Sequence, residues 1–317
     1  MPENVYITDV SPRDGLQNEP APVATADKLR LINLLRAAAV DEIEATSFVS
    51  PKWIPQLADA EEVMKHLHED AGGWGRRPVL SVLVPNEKGF QRARNFHSES
   101  SPLKIAVFTA ASETFSRKNT NATIAETVER FAAFLPDAFS LGMKVRFYIS
   151  CAVACPFEGP VDPAAVRRVA DMLLELAPSD RRRAGDIELD LGDTIGAAAP
   201  ADIDRLIDAF DEDHLRPLLV LHLHDTFGRA VDCVHRGLER GVRRFDGAAG
   251  GLGGCPYAGT KEKPAPGNIA TEPLVATVRK AGFTTGVDES KLREAGAFAS
   301  TLISAARANA KPYTQQT

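Results

Sequence analysis

Two histidines one residue apart, in the run Val220-Leu221-His222-Leu223-His224-Asp225, are the first chemistry the chain offers. Along a strand alternate side chains point the same way, so His222 and His224 share one face and Leu221 and Leu223 the other. Two imidazoles side by side near a strand end make half of a metal site. The plainer alternative is a hydrogen-bonded pair of buried histidines. A carboxylate comes from the other end of the chain, in Ser11-Pro12-Arg13-Asp14-Gly15-Leu16-Gln17. Asp14 with two histidines is an N/O donor set suited to Mg, Mn or Zn, and donor type alone does not choose among them. Arg13 is always cationic and can face an oxyanion while Asp14 faces the ion. A solvated Arg–Asp pair at a strand-end turn is the competing reading.

Residues 247–257 read GAAGGLGGCPY, a glycine density that permits positive φ and close backbone approach to a ligand. Such a loop can close over a site, and Cys255 inside it is placed as a proton donor or nucleophile. The downstream Pro266-Gly267-Asn268 can return an amide oxygen to a metal. Glu42 and Glu44 share one face of their strand, and an inward Glu44 needs a partner, for which Arg13 is the nearest option. Residues 188–196, ELDLGDTIG, end a further strand in acidic groups and glycines.

These residues need a scaffold that brings distant strand ends together. The chain has 317 residues, 44% of them hydrophobic and 25% charged, enough to bury a large core. A net charge of −6 argues against a nucleic-acid binder, whose footprint is basic, but not against a local basic patch for an anionic substrate. No apolar run reaches the ~18 residues of a membrane span, and MPENVYITDV has neither signal- nor transit-peptide character, so a cytoplasmic protein without membrane partners is expected. Four cysteines are too few for a disulfide framework.

Strand patterns occur at 5–10, 42–48, 79–84, 104–110, 144–150, 187–191, 218–224 and 243–247, and helical patterns at 26–39, 58–69, 87–96, 124–141, 163–176, 201–211 and 228–240. Strand–helix alternation implies parallel strands, and eight units imply closure into a (β/α)8 TIM barrel. An open doubly wound sheet is the alternative, but the polar motifs fall at C-terminal strand ends, where a barrel builds its site. One domain is expected over 1–317, the barrel reaching about residue 285 and further helices following at about 288–310.

Eight stretches, in order and spanning most of the chain, carry a more specific likeness: SPRDGLQNEP (11–20), EATSFVSPKWIPQLAD (44–59), VPNEKGFQRA (84–93), ASETFSRKNTN (111–121), YISCAVACPFEG (148–159), LGDTIGAA (191–198), LHLHDTFGRA (221–230) and GLGGCPYA (251–258). Together they resemble the 3-hydroxy-3-methylglutaryl-CoA lyase family. The resemblance implies cleavage of that acyl-CoA into acetyl-CoA and acetoacetate, with Mg or Mn as the divalent metal and Zn or Co as alternatives. Metal ligands would be Asp14, His222, His224 and Asn268. Arg13, Cys255 and Glu44 would serve catalysis. The general base is open among His222, His224 and Asp14, with His224 favoured. Gln17, Arg117, Lys118, Asp193 and Thr194 would bind substrate, with Lys52 and Lys88 as further cations for the CoA phosphates. A homodimer or higher homo-oligomer is expected.

Three departures bear on substrate identity. The interval from Cys255 to Asn268 is long, with an apparent insertion at 259–265. Asp190 stands where a small polar residue is expected and would alter the tolerated acyl substituent. The tail ANAKPYTQQT has no cysteine. They keep open a lyase for a related 3-hydroxy-3-substituted acyl-CoA; a Claisen-type acyltransferase, which also keeps a His-x-His strand, is the separate alternative.

Overall fold

The computed structural model describes residues 3–70, 78–212, 214–254 and 267–308. Eight parallel strands form its centre: β1 (Tyr6–Asp9), β2 (Glu42–Ser47), β3 (Val79–Leu83), β4 (Leu103–Ala110), β5 (Lys144–Ser150), β6 (Ile187–Asp193), β7 (Leu219–Leu223) and β8 (Arg244–Gly247). Each pairs with its sequence neighbours, and β1 pairs with β8 through Tyr6↔Arg244 to Asp9↔Gly247, so the sheet closes into a barrel. Every strand lies where the alternation places it, to within two residues at either end.

Around the strands run α1 (Thr25–Ala37), α2 (Ala60–Glu69), α3 (Glu87–Ala93), α4 (Glu113–Thr120), α5 (Ile124–Ala132), α6 (Leu135–Ser140), α7 (Pro163–Glu175), α8 (Pro200–Asp208), α9 (Ala230–Glu239) and α10 (Thr271–Lys280). A single long helix, α11 (Glu289–Ala308), follows and packs against α1. The pattern expected as one helix over 124–141 is instead α5 and α6. Pro136 lacks the N–H that a continuous helix would need and sits in the first turn of α6. Neither α4 nor α10 is visible in the periodicity. For α4 the signal lies in its ends, with Ser112 Oγ accepting from Phe115 N and Asn121 leaving at φ 51°.

Strand β5 shows how one alternation builds two environments. Val145, Phe147 and Ile149 face outward and are wholly buried beneath the helices, the larger side chains contributing on the order of 2 kcal/mol each. Arg146 and Tyr148 face inward. The lower barrel interior is ionic where branched aliphatics usually fill it. Arg146 donates from Nε to Glu188 (2.7 Å), from Nη1 to both Asp246 oxygens (2.9 and 3.1 Å) and from Nη2 to Thr8 Oγ1 (2.9 Å). Lys104 bridges Glu42 and Glu188, and Arg244 adds a contact to Glu188 at 2.9 Å. Among the described residues no helix is long and apolar enough to cross a membrane.

Candidate active site

At the C-terminal mouth, β1 runs into a single π-helical turn, Ser11–Gly15, that carries Arg13 and Asp14. Arg13 is almost fully buried. Its Nε and Nη2 both reach Glu44 Oε2 at 2.6 Å, and its Nη1 reaches Asp14 Oδ1 at 2.7 Å. The guanidinium lies over the Tyr148 ring, 5.5 Å from its centroid, and Tyr148 OH donates to the same Glu44 oxygen at 3.3 Å. Glu44 therefore fixes Arg13, as its inward position requires. Burial pushes the Asp14 carboxyl up, but Arg13, with the two histidines, outweighs it and holds the group well below the usual carboxylate range.

His222 and His224 turn toward each other with their Nε2 atoms 3.3 Å apart. One donor atom from each of Asp14, His222 and His224 lies within 4.8 Å of the others. Two nitrogens so spaced can both ligate one ion at ~2.1 Å, and two imidazoles with a carboxylate form a borderline set suited to a divalent metal. Asn268 joins the cluster from the far end of the chain. Its Nδ2 donates to Asp14 Oδ2 (2.8 Å) and to Leu252 O (3.0 Å), and its backbone bridges to that of His224. The residues fit a divalent metal.

The two rings differ in their surroundings. Burial lowers both, but the Asp246 hydrogen bond and the Asp14 charge lift His222 above its ordinary value. His224 falls to about 4, through burial and the adjacent His222. His222 Nδ1 lies 3.2 Å from Asp246 Oδ2, while His224 Nδ1 is buried beside the Thr194 backbone without a hydrogen bond of normal geometry.

Asp9 clasps the segments that carry the site. Its carboxylate accepts from Ser11 N (2.9 Å), Ala249 N (3.0 Å) and Thr271 Oγ1 (2.7 Å), tying the Arg13 turn to the glycine loop and to α10. Burial raises Asp9 to about 6 against the pull of Ser11 and Thr271. Two glycines meet close approach here. A Cβ on Gly15 would lie 2.7 Å from Leu252 Cβ. One on Gly253, at φ +97°, would lie 2.7 Å from Asn268 Nδ2.

A cavity of about 500 Å³ opens from this cluster. Arg13, Asp14, Gln17, Thr194, His222 and His224 line it, and its apolar wall includes Leu83, Phe108, Phe115 and Phe131. Other expected residues stand elsewhere. Arg117 and Lys118 are not in a loop but on the exposed last turn of α4, outside the cavity wall, which Asn119, Thr120 and Asn121 supply instead. Lys88 lies in the first turn of α3 and Lys52 is exposed in the turn after β2. Asp193 accepts from Ala197 N and Ala198 N, both at 2.9 Å, and so shapes the turn after β6 without lining the cavity. Asp190 is wholly buried in the barrel, 3.3 Å from Arg146 Nη1, and does not line the cavity, so any effect on the acyl substituent would pass through its neighbours. Cys255 and the 259–265 interval lie outside the described residues.

Sequence reasoning passes over Asp246, Arg146 and Tyr148. The signal for them is the same alternation that pairs the histidines: Arg244/Asp246 and Arg146/Tyr148 are polar pairs two apart in otherwise apolar strands.

Comparisons with known proteins extend the picture beyond the site. Residues 4–299 match the HMGL-like family. The chain is similar to the mitochondrial hydroxymethylglutaryl-CoA lyase of Mus musculus, 43% identical over 298 residues that cover 94% of this chain and 85% of that protein. It is also similar to a 3-hydroxy-3-isohexenylglutaryl-CoA/hydroxymethylglutaryl-CoA lyase of Pseudomonas aeruginosa, 42% identical over 93% of this chain and 92% of that one. Among solved structures, the HMG-CoA lyase of Brucella melitensis superposes with a TM-score of 0.84 at 44% identity, covering 95% of this chain and 99% of that chain.

Proposed function

Since the chain belongs to the HMGL-like family of hydroxymethylglutaryl-CoA lyases, we propose that it is a divalent-metal-dependent carbon–carbon lyase cleaving 3-hydroxy-3-methylglutaryl-CoA to acetyl-CoA and acetoacetate. The observation that carries this reading is the meeting of Asp14, His222 and His224 beside Arg13 on the wall of one cavity at the barrel mouth. Asp14, His222, His224 and Asn268 are the residues proposed to hold the metal, Mg or Mn first and Zn or Co as alternatives. Bound there, the ion polarises the substrate's tertiary hydroxyl and lowers its pKa.

Each side chain then has a task. Asp14 is engaged by Arg13 and Asn268, and His222 by Asp246, so His224 is the ring least committed elsewhere and the proposed acceptor of the hydroxyl proton; for that step its Nε2 lone pair would take the proton in place of the ion, which Asp14, His222 and Asn268 would go on holding. The oxygen's electron pair forms the ketone, and the carbon–carbon pair passes to the thioester fragment as an enolate. Arg13, held in place by Glu44, stabilises the charge growing on the thioester oxygen, an effect worth about 3–4 kcal/mol for a preorganised donor. Cys255 is the proposed donor of the proton to the enolate carbon. Gln17 and Thr194 are proposed substrate contacts from the cavity wall, with Asp193 acting behind Thr194. Arg117 and Lys118 remain proposed partners of the CoA phosphates only at the outer rim.

A second reading is favoured by the apolar wall of Leu83, Phe108, Phe115 and Phe131, which suits a substituent longer than methyl at the tertiary carbon. The similar Pseudomonas aeruginosa enzyme is named for an isohexenyl as well as a methyl substrate. That bacterial relative also supports the cytoplasm as the proposed compartment; homo-oligomerisation is part of the same proposal.

Mass-spectrometric product analysis tests both. Purified protein with Mg or Mn is given 3-hydroxy-3-methylglutaryl-CoA and longer 3-alkyl homologues. Equal amounts of acetyl-CoA and acetoacetate, lost on chelation, are expected. Faster cleavage of a longer homologue moves the assignment to the second reading. No acetyl-CoA from any ester, or turnover indifferent to metal, defeats both.

A further inference from the structure

We infer that Asp246 is the positioning residue for His222: its carboxylate keeps a proton on Nδ1 and so turns the Nε2 lone pair toward His224 and the cluster. Asp246 and His222 are register partners on β8 and β7, with side chains on the same inward face. A carboxylate only accepts hydrogen bonds, so the contact between His222 Nδ1 and Asp246 Oδ2 at 3.2 Å makes Nδ1 the donor. A neutral imidazole has one N–H, and Nε2 is left as the lone-pair nitrogen.

Asp246 is itself held. Arg146 Nη1 donates to both its oxygens, and Arg146 is anchored in turn by Glu188 and Thr8. The Tyr148 ring meets the His222 ring edge-on at 6.0 Å, which limits its rotation. The ionic barrel floor thus reaches the mouth through the Asp246 carboxylate and fixes one histidine. Among the described residues no carboxylate bonds to His224 Nδ1, so the two rings are unequal by construction: one is locked and the other is adjustable. Outer partners of this type set both the tautomer and the basicity of a metal-binding histidine.

The inference rests on the proposed ion site, and two measurements separate their fates. In ion-free wild-type protein at about pH 9, well above the ordinary imidazole range, a long-range proton–nitrogen spectrum of labelled histidine reads the tautomer, with His222→Asn identifying the signal. A proton on Nδ1 is expected; a proton on Nε2 overturns the inference, and the reading is made on the wild-type fold. Titration with Mn, read by the resonance of the free ion, supplies the second measurement. Asn at 246 offers both a donor and an acceptor and no longer dictates the tautomer, so Asp246→Asn is expected to bind Mn about 10–100-fold more weakly. Equal binding by the variant overturns the positioning role. Wild-type protein that binds no Mn overturns the ion site itself, and the spectrum then still decides whether Asp246 orders the ring.

Discussion

The floor of the barrel and its mouth are both lined with buried charge, yet they are opposite in character. On the floor Lys104, Arg146 and Arg244 face Glu42, Glu188, Asp190 and Asp246. Burial and the neighbouring Asp246 charge push Asp190 well above the ordinary carboxylate range, and each of the three cations lies against at least one of these carboxylates. At the mouth Arg13 is matched by Glu44 and Asp14, but two imidazole nitrogens face each other across 3.3 Å with no hydrogen atom required between them. A network whose charges pair with one another holds a fold together. A convergent one with donor atoms to spare is where a ligand goes. Buried charge alone therefore does not mark a site; the state of its partners does.

The contrast breaks most visibly if the floor loses its central cation. Arg146→Met leaves Asp246 and Glu188 without their main partner, and removal of one member of a buried pair costs about 3–5 kcal/mol. Urea unfolding should show a loss of that size, and a loss under about 1 kcal/mol would mean the floor is not held by its ion pairs.

Arg13→Ala asks the same question of the mouth and should answer in turnover. A fall of about 10²–10³ in kcat is expected, with Mn binding close to that of the wild type. Loss of Mn from this variant would return Arg13 to a purely structural role.

Asp9, which ties the segments of the mouth together, gives that region a dependence on pH. Its folded value, about 6, stands above the ordinary 3.8, so the folded chain holds a proton that the unfolded chain has released. The stability this contributes is complete below about pH 4 and is lost as pH rises through about 6, at roughly 1.4 kcal/mol per unit. Asp9→Asn has no such proton. Its stability should therefore gain on that of the wild type by on the order of 3 kcal/mol between pH 4 and 6, and parallel curves would place Asp9 in a less buried setting.

The smallest effect is expected at Asp190. Asp190→Asn replaces a carboxyl that burial pushes well above the ordinary carboxylate range with a neutral isostere, so stability should move by no more than about 1 kcal/mol. The order of preference among acyl-CoA substrates should stay as it was, because residue 190 does not reach the cavity. A changed order would show that floor and mouth are not separate after all.

What can be read in the sequence follows the same division. The strands are legible because their alternation is local, and His222 and His224 because they sit two apart on one strand. Nothing local connects residue 14 to residues 222, 224 and 268; their donor types and the expected convergence of C-terminal strand ends in a barrel bring them together, and the family likeness names the same set. The floor is invisible: Lys104 meets Glu188 across 84 positions and Arg146 meets Thr8 across 138, and only closure of the barrel joins them. Helix α4 escapes notice because ETFSRKNT has no apolar stripe and is defined by its caps. Acidic strand ends look alike in the sequence, and only the turn that follows shows that Asp193 supports the backbone after Thr194 and that Asp190 packs against Arg146.

Asn268 completes the mouth by bonding to Asp14, which precedes it by 254 residues. At ~5–20 residues per second, a ribosome takes roughly 13–50 s to deliver the second residue after the first. For most of that interval the nascent chain carries the carboxylate without the two imidazoles that would share an ion with it. With the proposed ligand set, metal uptake waits until residue 224 has been made, and a product truncated before residue 222 would remain unloaded however well its early strands had formed.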